Sequence, residues 1–380
     1  MIIYTSCLQY ILKIYDMAEV KNMAHKRLYI PGPTEVRKEV IEAMNDWMIG
    51  HRSSDMTDLY TTITEDTQKF LDTKNDVIIL SASGTAFMES SVMDCVDKDV
   101  LCSTCGSFSK RQADIANRLG KKVDTLDYEW GKAVKPEDVR KALEKKKYDA
   151  FTCVMNETST GVRNPIEEIG DVLKEFPDTL FIVDAISCLG GDYIDIEKNN
   201  IDVIFSSVQK AFAMPPGLSV CVVNDKAYER SSNTKSGLWY AGFKRNIDYY
   251  KKKGQTSSTP AISLMYAYRE QMKHMLKEGH INRSNRHKKM AEYTQNWARK
   301  HFDMFPENGY YSQTVSTIKN TKGINIADLR KKINEKYDMV FANGYGKQLK
   351  EKTFRIGHMG DHTVETIKEL TDAIEDVANL

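Results

Sequence analysis

One lysine stands directly after an apolar, β-rich run, in the segment Ser206-Ser207-Val208-Gln209-Lys210. Lysine side chains are almost never fully buried unless they are paired or functional. Burial lowers the pKa of an amine, and the neutral amine is a nucleophile that can form a Schiff base with a carbonyl compound. The alternative interpretation is a surface lysine where a strand meets a loop, and it would be preferred if Lys210 were the only signal.

A carboxylate ends another apolar run, at Asp184 in Phe181-Ile182-Val183-Asp184-Ala185. Open α/β sheets bind ligands at the carboxyl ends of their strands. A carboxylate in that position can keep the ring nitrogen of a heteroaromatic cofactor protonated, so that the ring accepts electrons from a substrate. An aspartate that caps a helix or lies in a loop is the alternative.

Two further segments could bind anions. Small residues at 81–85, including Ser83, Gly84 and Thr85, follow an apolar run and precede an amphipathic one. They would expose backbone N–H groups at a helix N-terminus, which suits a phosphate, although small residues also simply cap helices. Arg355 lies within a short strand-like segment, where it could bind a carboxylate through two hydrogen bonds or form a surface ion pair.

Short β-rich runs alternate with amphipathic segments through the middle of the chain, and this predicts a mostly parallel sheet with helices on both faces. The predicted strands are 77–80, 100–103, 122–127, 149–155, 180–185, 202–207 and 218–223, and the predicted helices between them are 86–96, 108–119, 136–147 and 165–176. Segment 225–259 has weak periodicity and predicts a long excursion or lid rather than core. A long helix from Pro260, charged helices in 277–301 and a small α+β unit at 324–380 follow.

Composition narrows the function classes. The 380 residues carry 54 Lys plus Arg against 53 Asp plus Glu, a net charge of +1, so electrostatics gives no case for nucleic acid or an anionic membrane. No apolar run is long enough to span a bilayer. The seven cysteines predict buried thiols in a reducing compartment, and the lone Cys102-x-x-Cys105 pair is expected to be structural rather than metal-binding. The cytoplasm is the default location, and the first 26 residues look appended.

The order of these signals resembles the fold-type I enzymes that use pyridoxal 5'-phosphate (PLP). More closely, it resembles the class V aminotransferases of the alanine–glyoxylate, serine–pyruvate and serine–glyoxylate branch. The resemblance runs from about Leu28 to the C-terminus. Its motifs are Pro31-Gly32-Pro33, His51-Arg52-Ser53 with Asp55, Ser83-Gly84-Thr85, Glu157-Thr158-Ser159-Thr160-Gly161, Val183-Asp184-Ala185, Gln209-Lys210 with Pro215-Pro216-Gly217, and Arg355-Ile356-Gly357.

The resemblance implies an α/β fold with a large PLP-binding domain at 31–275, a smaller α+β domain at 276–380 and an N-terminal extension at 1–30. It implies that Lys210 carries PLP and moves the substrate proton, that Asp184 pairs with the pyridine nitrogen, and that Arg355 holds the substrate α-carboxylate. Other implied contacts are Phe108 stacked on the ring, Thr158 near the ring oxygen, the backbone of Gly32 lining the pocket, and Ser83, Gly84, Thr85 and Gln209 around the phosphate.

The neighbouring subunit of a homodimer would also reach the phosphate, through the segment 255–260 that includes Ser258 and Thr259. The implied reaction moves an amino group from alanine or serine to glyoxylate or pyruvate by a ping-pong mechanism. One clear arginine favours such monocarboxylic substrates, because a glutamate-type donor would need a second cation that the sequence alone does not place.

Three alternatives stay open. A cysteine desulfurase-like lyase needs a nucleophilic cysteine in the C-terminal half, and no cysteine follows Cys221. A phosphoserine aminotransferase needs additional basic residues, which the lysines and arginines of 235–253 could supply. A non-catalytic PLP-binding regulatory protein would have no need to combine Lys210 and Asp184 with a carboxylate-binding Arg355.

Overall fold

A seven-stranded sheet forms the centre of the larger part of the molecule, in a computed structural model that describes residues 25–235 and 237–380. Six of its strands run parallel and one, Ser219–Val223, runs antiparallel between two of them. In spatial order the strands are Asp76–Leu80, Ser219–Val223, Val203–Ser207, Leu180–Asp184, Ala150–Val154, Asp99–Thr104 and Lys122–Asp127. The predicted mostly parallel sheet is therefore confirmed.

The central strands read as continuous apolar runs because helices cover both faces of the sheet. In the strand Leu180–Asp184, Phe181 and Val183 pack into one core cluster, while Leu180 and Ile182 pack into a second cluster on the opposite face. The helices of this part are Lys38–Glu42, Ser54–Leu71, Thr85–Cys95, Ser107–Arg118, Pro136–Lys145, Ile166–Leu173, Asp225–Asn233, Phe243–Lys253 and Ile262–Glu278, with a 3₁₀ turn at Ala43–Asn45.

A five-stranded sheet organises the C-terminal part. Its spatial order is Arg27–Tyr29, Met339–Asn343, Thr353–Gly357, Val315–Lys319 and Asp303–Met304. A third core cluster lies between this sheet and the helices His280–His301, Ile326–Tyr337 and Val364–Ala378. The central strand of this sheet carries Arg355, which pairs with Thr317 on one side and Ala342 on the other. The sheet therefore fixes the backbone of Arg355 from both sides.

Two smaller features complete the described chain. A short hairpin pairs Asn156–Glu157 with Val162–Arg163, immediately after a strand of the large sheet. The short helix Gly346–Leu349 lies between two strands of the small sheet. Both features contribute residues to the site described below.

Some predictions need correction. The segment 225–259 is not an excursion outside the core, because it forms two helices and its Phe243 and Ile247 are buried in the second core cluster. Charged segment 277–301 is mostly one helix, His280–His301. The strand Val315–Lys319 was not predicted. Arg27–Tyr29, inside the expected N-terminal extension, pairs with Met339–Phe341, and the division into domains stays a prediction.

The cysteines behave as expected where the structure describes them. Six of them, Cys95, Cys102, Cys105, Cys153, Cys188 and Cys221, are free and buried, while Cys7 lies outside the described residues, as do residues 1–24 as a whole. Burial raises the pKa of both Cys102 and Cys105, which makes their thiols poor nucleophiles. Among the described helices, none is long and apolar enough to cross a membrane. The cytoplasmic location stays a prediction.

Candidate active site

Five loops at the carboxyl ends of parallel strands meet around an inner cavity of about 170 Å³. They follow Asp76–Leu80, Asp99–Thr104, Ala150–Val154, Leu180–Asp184 and Val203–Ser207. The predicted site residues that line this cavity are Ser83, Gly84, Thr85, Phe108, Thr158, Asp184, Gln209 and Lys210. Eight residues proposed from separate sequence motifs thus come together at one edge of the sheet, where α/β proteins bind ligands.

Lys210 extends from the loop after Val203–Ser207 towards the N-terminal segment of the chain. Its Nζ donates a hydrogen bond to the carbonyl of Pro31. Gly32 adopts a φ of +90°, and a Cβ on this residue would lie 2.5 Å from Lys210 Cδ and 2.8 Å from Nζ. The positive φ favours glycine, and any larger residue would also displace the end of the lysine side chain, which gives the predicted Gly32 a steric role.

The pKa of Lys210 is lowered to about 8, mainly by burial; the charges of Arg355 and Arg111 also lower it, and the charge of Asp184 opposes the shift. A substantial fraction of the amine is neutral near that pH. The neutral form has the lone pair that attack on a carbonyl requires.

Asp184 ends its strand with the carboxylate inside the same cavity. Burial raises the pKa of Asp184 to about 7, the backbone N–H of Ile186 opposes the shift by donating to Oδ1 at 2.8 Å, and Lys210 and Arg111 oppose it electrostatically. A buried carboxylate in need of a cation is the group that would bind a protonated ring nitrogen. This arrangement fits the pyridine ring of PLP.

The end of the inner cavity beside the helix Thr85–Cys95 suits a phosphate. No side chain caps the N-terminus of this helix, and in the described part of the chain no hydrogen bond forms at the hydroxyls of Ser83 and Thr85. A Cβ on Gly84 would lie 2.7 Å from Ile186 Cδ1, so the backbone packs closely at this point. The N–H of Gly84 donates to Ser207 Oγ at 3.3 Å, which leaves the N–H of Thr85 and the hydroxyls of Ser83 and Thr85 to bind an anion.

Phe108 forms a wall of the inner cavity, at the N-terminus of the helix Ser107–Arg118. Its backbone is held by Glu157, a fully buried carboxylate that accepts from Phe108 N at 3.1 Å and from Ser109 N at 2.8 Å. The same carboxylate accepts from the hydroxyls of Ser109 at 2.9 Å and Ser159 at 2.6 Å. Glu157 thus holds the backbone from which the Phe108 ring projects.

An outer cavity of about 390 Å³ shares Phe108, Thr158 and Lys210 with the inner one and is also lined by Gly32 and Arg355. Arg355 donates from Nε to Asn343 O at 3.2 Å and from Nη1 to Thr158 O at 3.1 Å. Burial is the main cause that lowers the pKa of Arg355 to about 10. Because its acceptors among the described residues are neutral carbonyls, the guanidinium retains capacity for an anionic ligand.

Polar side chains behind the ring position form a connected network. Thr158 donates to Ser187 Oγ at 2.8 Å, and Asn156 Nδ2 donates to the same hydroxyl at 2.6 Å. Asn156 Oδ1 is buried without a hydrogen-bond partner, and Asn156 lines the inner cavity. A buried acceptor without a partner at a cavity wall is a place where a ligand donor would be favourable. The residues present therefore fit PLP.

Three residues of the site were missed by the sequence analysis. Arg111 lines the inner cavity with its guanidinium carbon 4.8 Å from the centre of the Phe108 ring. Glu157 was quoted in a motif but given no role. Arg330 lines the outer cavity beside Arg355. Each lies on an element whose position is set by tertiary packing, so no local sequence signal identifies them.

Ser258 and Thr259 line neither cavity of their own chain. Ser258 accepts a hydrogen bond through its backbone carbonyl from Thr256 Oγ1 at 2.8 Å, and Thr259 is exposed. Their expected role in a neighbouring subunit's site stays a prediction.

Comparison with known proteins gives consistent matches along the chain. The family model described as aminotransferase class-V matches residues 28–344. An uncharacterized aminotransferase of Methanocaldococcus jannaschii is 39% identical over 343 residues, 88% of each chain, and a serine–glyoxylate aminotransferase of Methylorubrum extorquens is 31% identical over 91% of this chain and 89% of its own. The crystal structure of an alanine–glyoxylate aminotransferase from Nostoc sp. superposes with a TM-score of 0.88 at 29% identity, over 94% of this chain and 96% of that one.

Proposed function

This chain belongs to the class-V aminotransferase family, and we propose that it moves an amino group from alanine or serine to glyoxylate or pyruvate. It is a PLP-dependent aminotransferase. The observation that carries the proposal is the meeting of two cavities at Lys210. The inner cavity contains Asp184 and an uncapped helix N-terminus, and the outer cavity contains Arg355. A cofactor and a substrate carboxylate thus have separate places on either side of one amine.

PLP, when bound, would supply a carbonyl that takes up an amino group and a ring that accepts an electron pair from the substrate. In this proposal Lys210 holds the cofactor. Asp184 binds the ring nitrogen, and the backbone and hydroxyls of Ser83, Gly84 and Thr85 bind the phosphate together with Gln209. Thr158 lies near the ring oxygen and Phe108 covers one face of the ring.

Arg355 would bind the α-carboxylate of the amino acid. Because the same arginine lines the cavity with Lys210, a carboxylate on its guanidinium places the amino group and the α-carbon next to Lys210 Nζ. The Nζ atom, once neutral, would take the proton from the α-carbon and later return it. The lowered pKa of Lys210, about 8, favours this base form.

A ping-pong cycle would follow from the single site. The first amino acid leaves as its 2-oxo acid and its amino group stays on the enzyme, and a second 2-oxo acid then takes that group and leaves as an amino acid. Both half-reactions would use Arg355 and Lys210. The homodimer implied by the resemblance would add Ser258 and Thr259 of a neighbouring subunit to the phosphate site.

The proposal is tested by visible absorption of the purified protein with PLP, before and after addition of L-alanine or L-serine. The expected result is an absorption band of protein-bound PLP that bleaches with one of these amino acids and returns with glyoxylate or pyruvate. Double-reciprocal plots of initial rates at several fixed acceptor concentrations should give parallel lines. A band that no amino acid changes would contradict the transfer reaction. The Lys210→Ala variant is the matched control and should show neither the band nor its response.

A further inference from the structure

The outer cavity contains a second guanidinium besides Arg355. Arg330 projects from the helix Ile326–Tyr337, and Arg355 projects from the strand Thr353–Gly357, and both line the same cavity of about 390 Å³. The two cations are close enough that Arg330 contributes, after burial, to lowering the pKa of Arg355. Two like charges around one cavity repel each other unless an anion lies between them.

Arg330 is held in place without being neutralised. Its Nε donates to the backbone carbonyl of Phe341 at 2.7 Å, which anchors the base of the guanidinium and leaves Nη1 and Nη2 for another acceptor. Within residues 25–235 and 237–380, no carboxylate lies within 4.0 Å of Arg330. By contrast, Arg163 and Arg283 each pair with two carboxylates. Arg330 therefore has the geometry of a ligand-binding arginine.

The position of Arg330 bears on the substrate side chain. In the proposed function the α-carboxylate occupies Arg355 and the amino group faces Lys210. The remaining wall of the cavity includes Arg330, Asn343 and Tyr345. Tyr345 packs against Phe108 with ring centroids 5.3 Å apart, and Arg355 lies over its ring at 5.2 Å. An anionic group on the substrate side chain could pair with the free end of Arg330.

We propose that Arg330 forms a second anion subsite, and that one of the two amino acid–oxo acid pairs processed by the enzyme carries a second acidic group on its side chain. The inference rests on the proposed function. It keeps the transfer reaction but revises one of its two substrate pairs. Because both half-reactions use one cavity, that cavity would accept a small neutral pair in one half-reaction and a doubly acidic pair in the other. The acidic group is a carboxylate or a phosphate, since a guanidinium binds both through two hydrogen bonds.

The experiment measures kcat/KM of the amino-acid half-reaction from the absorption change, with three matched pairs of substrates. Each comparison sets an acidic amino acid against its neutral counterpart: L-aspartate against L-asparagine, L-glutamate against L-glutamine, and O-phospho-L-serine against L-serine. The wild type should prefer the acidic member of at least one pair by about 10-fold or more, because a charge-assisted hydrogen bond is worth about that much. The preferred pair distinguishes a carboxylate from a phosphate.

The variants show whether Arg330 causes that preference. Arg330→Gln should reduce the acidic-to-neutral ratio of kcat/KM by about 10- to 100-fold. Arg330→Lys, which keeps the charge and is a milder change for folding, should retain part of the preference. Lys347→Gln is the matched control, because Lys347 is an exposed cation on the nearby helix Gly346–Leu349 and is not itself among the residues that line the cavity. The ratio should survive this control substitution.

Two results would overturn the subsite. The first is a wild type that converts L-alanine but prefers no acidic member of any pair. The second is an Arg330→Gln variant in which kcat/KM falls equally for the acidic and the neutral member of a pair. A wild type that converts no amino acid at all would overturn the subsite together with the proposed function. The L-alanine reaction therefore separates failure of the subsite from failure of the transfer activity.

Discussion

Burial shifts the pKa values of Lys210 and Asp184 in opposite directions, and both shifts favour the neutral forms. The pKa of Lys210 falls to about 8 and that of Asp184 rises to about 7. Both groups are buried in the inner cavity, and removal from water disfavours the charged form of each. Two groups that are costly to bury without a ligand are typical of a functional site.

The cost of burying Lys210 should be visible in the stability of the cofactor-free protein. The folded pKa of about 8 lies below the ordinary value of 10.5, so between these values the unfolded chain holds a proton that the folded chain lacks. Stability attributable to Lys210 therefore rises with pH across this window. Relative to Lys210→Met, the wild type should gain up to about 3 kcal/mol from pH 8 to 10.5.

Urea unfolding of both proteins at pH 7, 8, 9 and 10 measures this difference. The variant should be the more stable protein at pH 7, and its advantage should shrink at higher pH. A difference that does not change with pH would mean that the Lys210 amine is not desolvated in the folded state.

Asp184→Asn tests the carboxylate at nearly constant shape. An amide cannot keep a ring nitrogen protonated by charge, so electron acceptance by the ring should suffer more than substrate binding. We expect kcat to fall by about 100-fold or more, with a smaller change in KM. Steady-state rates with alanine and glyoxylate give both values. A variant with normal kcat would show that Asp184 serves only the fold.

At the scale of elements, the site depends on how each strand or helix begins and ends. Glu157 follows a strand of the large sheet and accepts hydrogen bonds from the first turn of the helix Ser107–Arg118. It therefore connects the hairpin Asn156–Arg163 to the helix that presents Phe108. A carboxylate at a helix N-terminus also interacts favourably with the helix dipole.

Glu157→Gln should weaken this connection, because the amide nitrogen cannot accept from the N–H groups that the carboxylate oxygens now bind. The expected loss is about 1–3 kcal/mol of unfolding free energy, with weaker PLP binding. Thermal unfolding and a PLP titration measure the two effects. Asp114→Asn is the matched control, an exposed carboxylate on the same helix that should change neither. Equal effects of the two variants would contradict the role of Glu157.

Local sequence signals predicted the elements of the large sheet well, because buried parallel strands are continuous apolar runs that need no knowledge of their neighbours. All seven predicted strands are present in the structure, so the residues at their carboxyl ends lie where the sequence predicted. The small sheet was harder. Val315–Lys319 has the sequence Val-Ser-Thr-Ile-Lys, in which polar residues are buried by tertiary packing rather than indicated by the pattern.

The site was predicted in part for the same reason. Residues that follow strands, such as Lys210 and Asp184, could be placed by the sheet alone. Arg330 could not, because it lies on a helix whose orientation towards the cavity is set by the small sheet. The sequence motifs contain one clear arginine, Arg355, whereas the folded cavity is lined by two.

At the scale of the whole molecule, a buried ionic cluster connects the two parts of the chain. Arg283, which is fully buried on the helix His280–His301, donates to the carbonyls of Gly190 at 2.9 Å and Ala211 at 2.8 Å. It also pairs with Asp361 at 3.0 Å, and Arg37 pairs with the same carboxylate at 2.7 Å. The cluster thus links the loops that follow Asp184, Lys210 and Arg355.

Arg283→Met should destabilise the protein strongly, since it leaves Asp361 buried with fewer partners and frees two carbonyls. The expected loss is about 3–5 kcal/mol of unfolding free energy. Denaturant unfolding measures it, with Arg299→Met as the control on an exposed position of the same helix. A loss no greater than that of the control would mean that the cluster does not hold the parts together.

The attachment of PLP to Lys210 is tested most directly by identifying the residue that carries the cofactor. The protein is incubated with PLP, reduced with borohydride to make the attachment permanent, and digested, and the modified peptide is identified by mass spectrometry. We expect one stoichiometric modification, at Lys210. It should be lost in Lys210→Ala, and it should also be lost when an amino acid has first converted the bound cofactor to its aminated form, which borohydride does not attach to the protein. Modification spread over exposed lysines, or unchanged in Lys210→Ala, would contradict the assignment of this site.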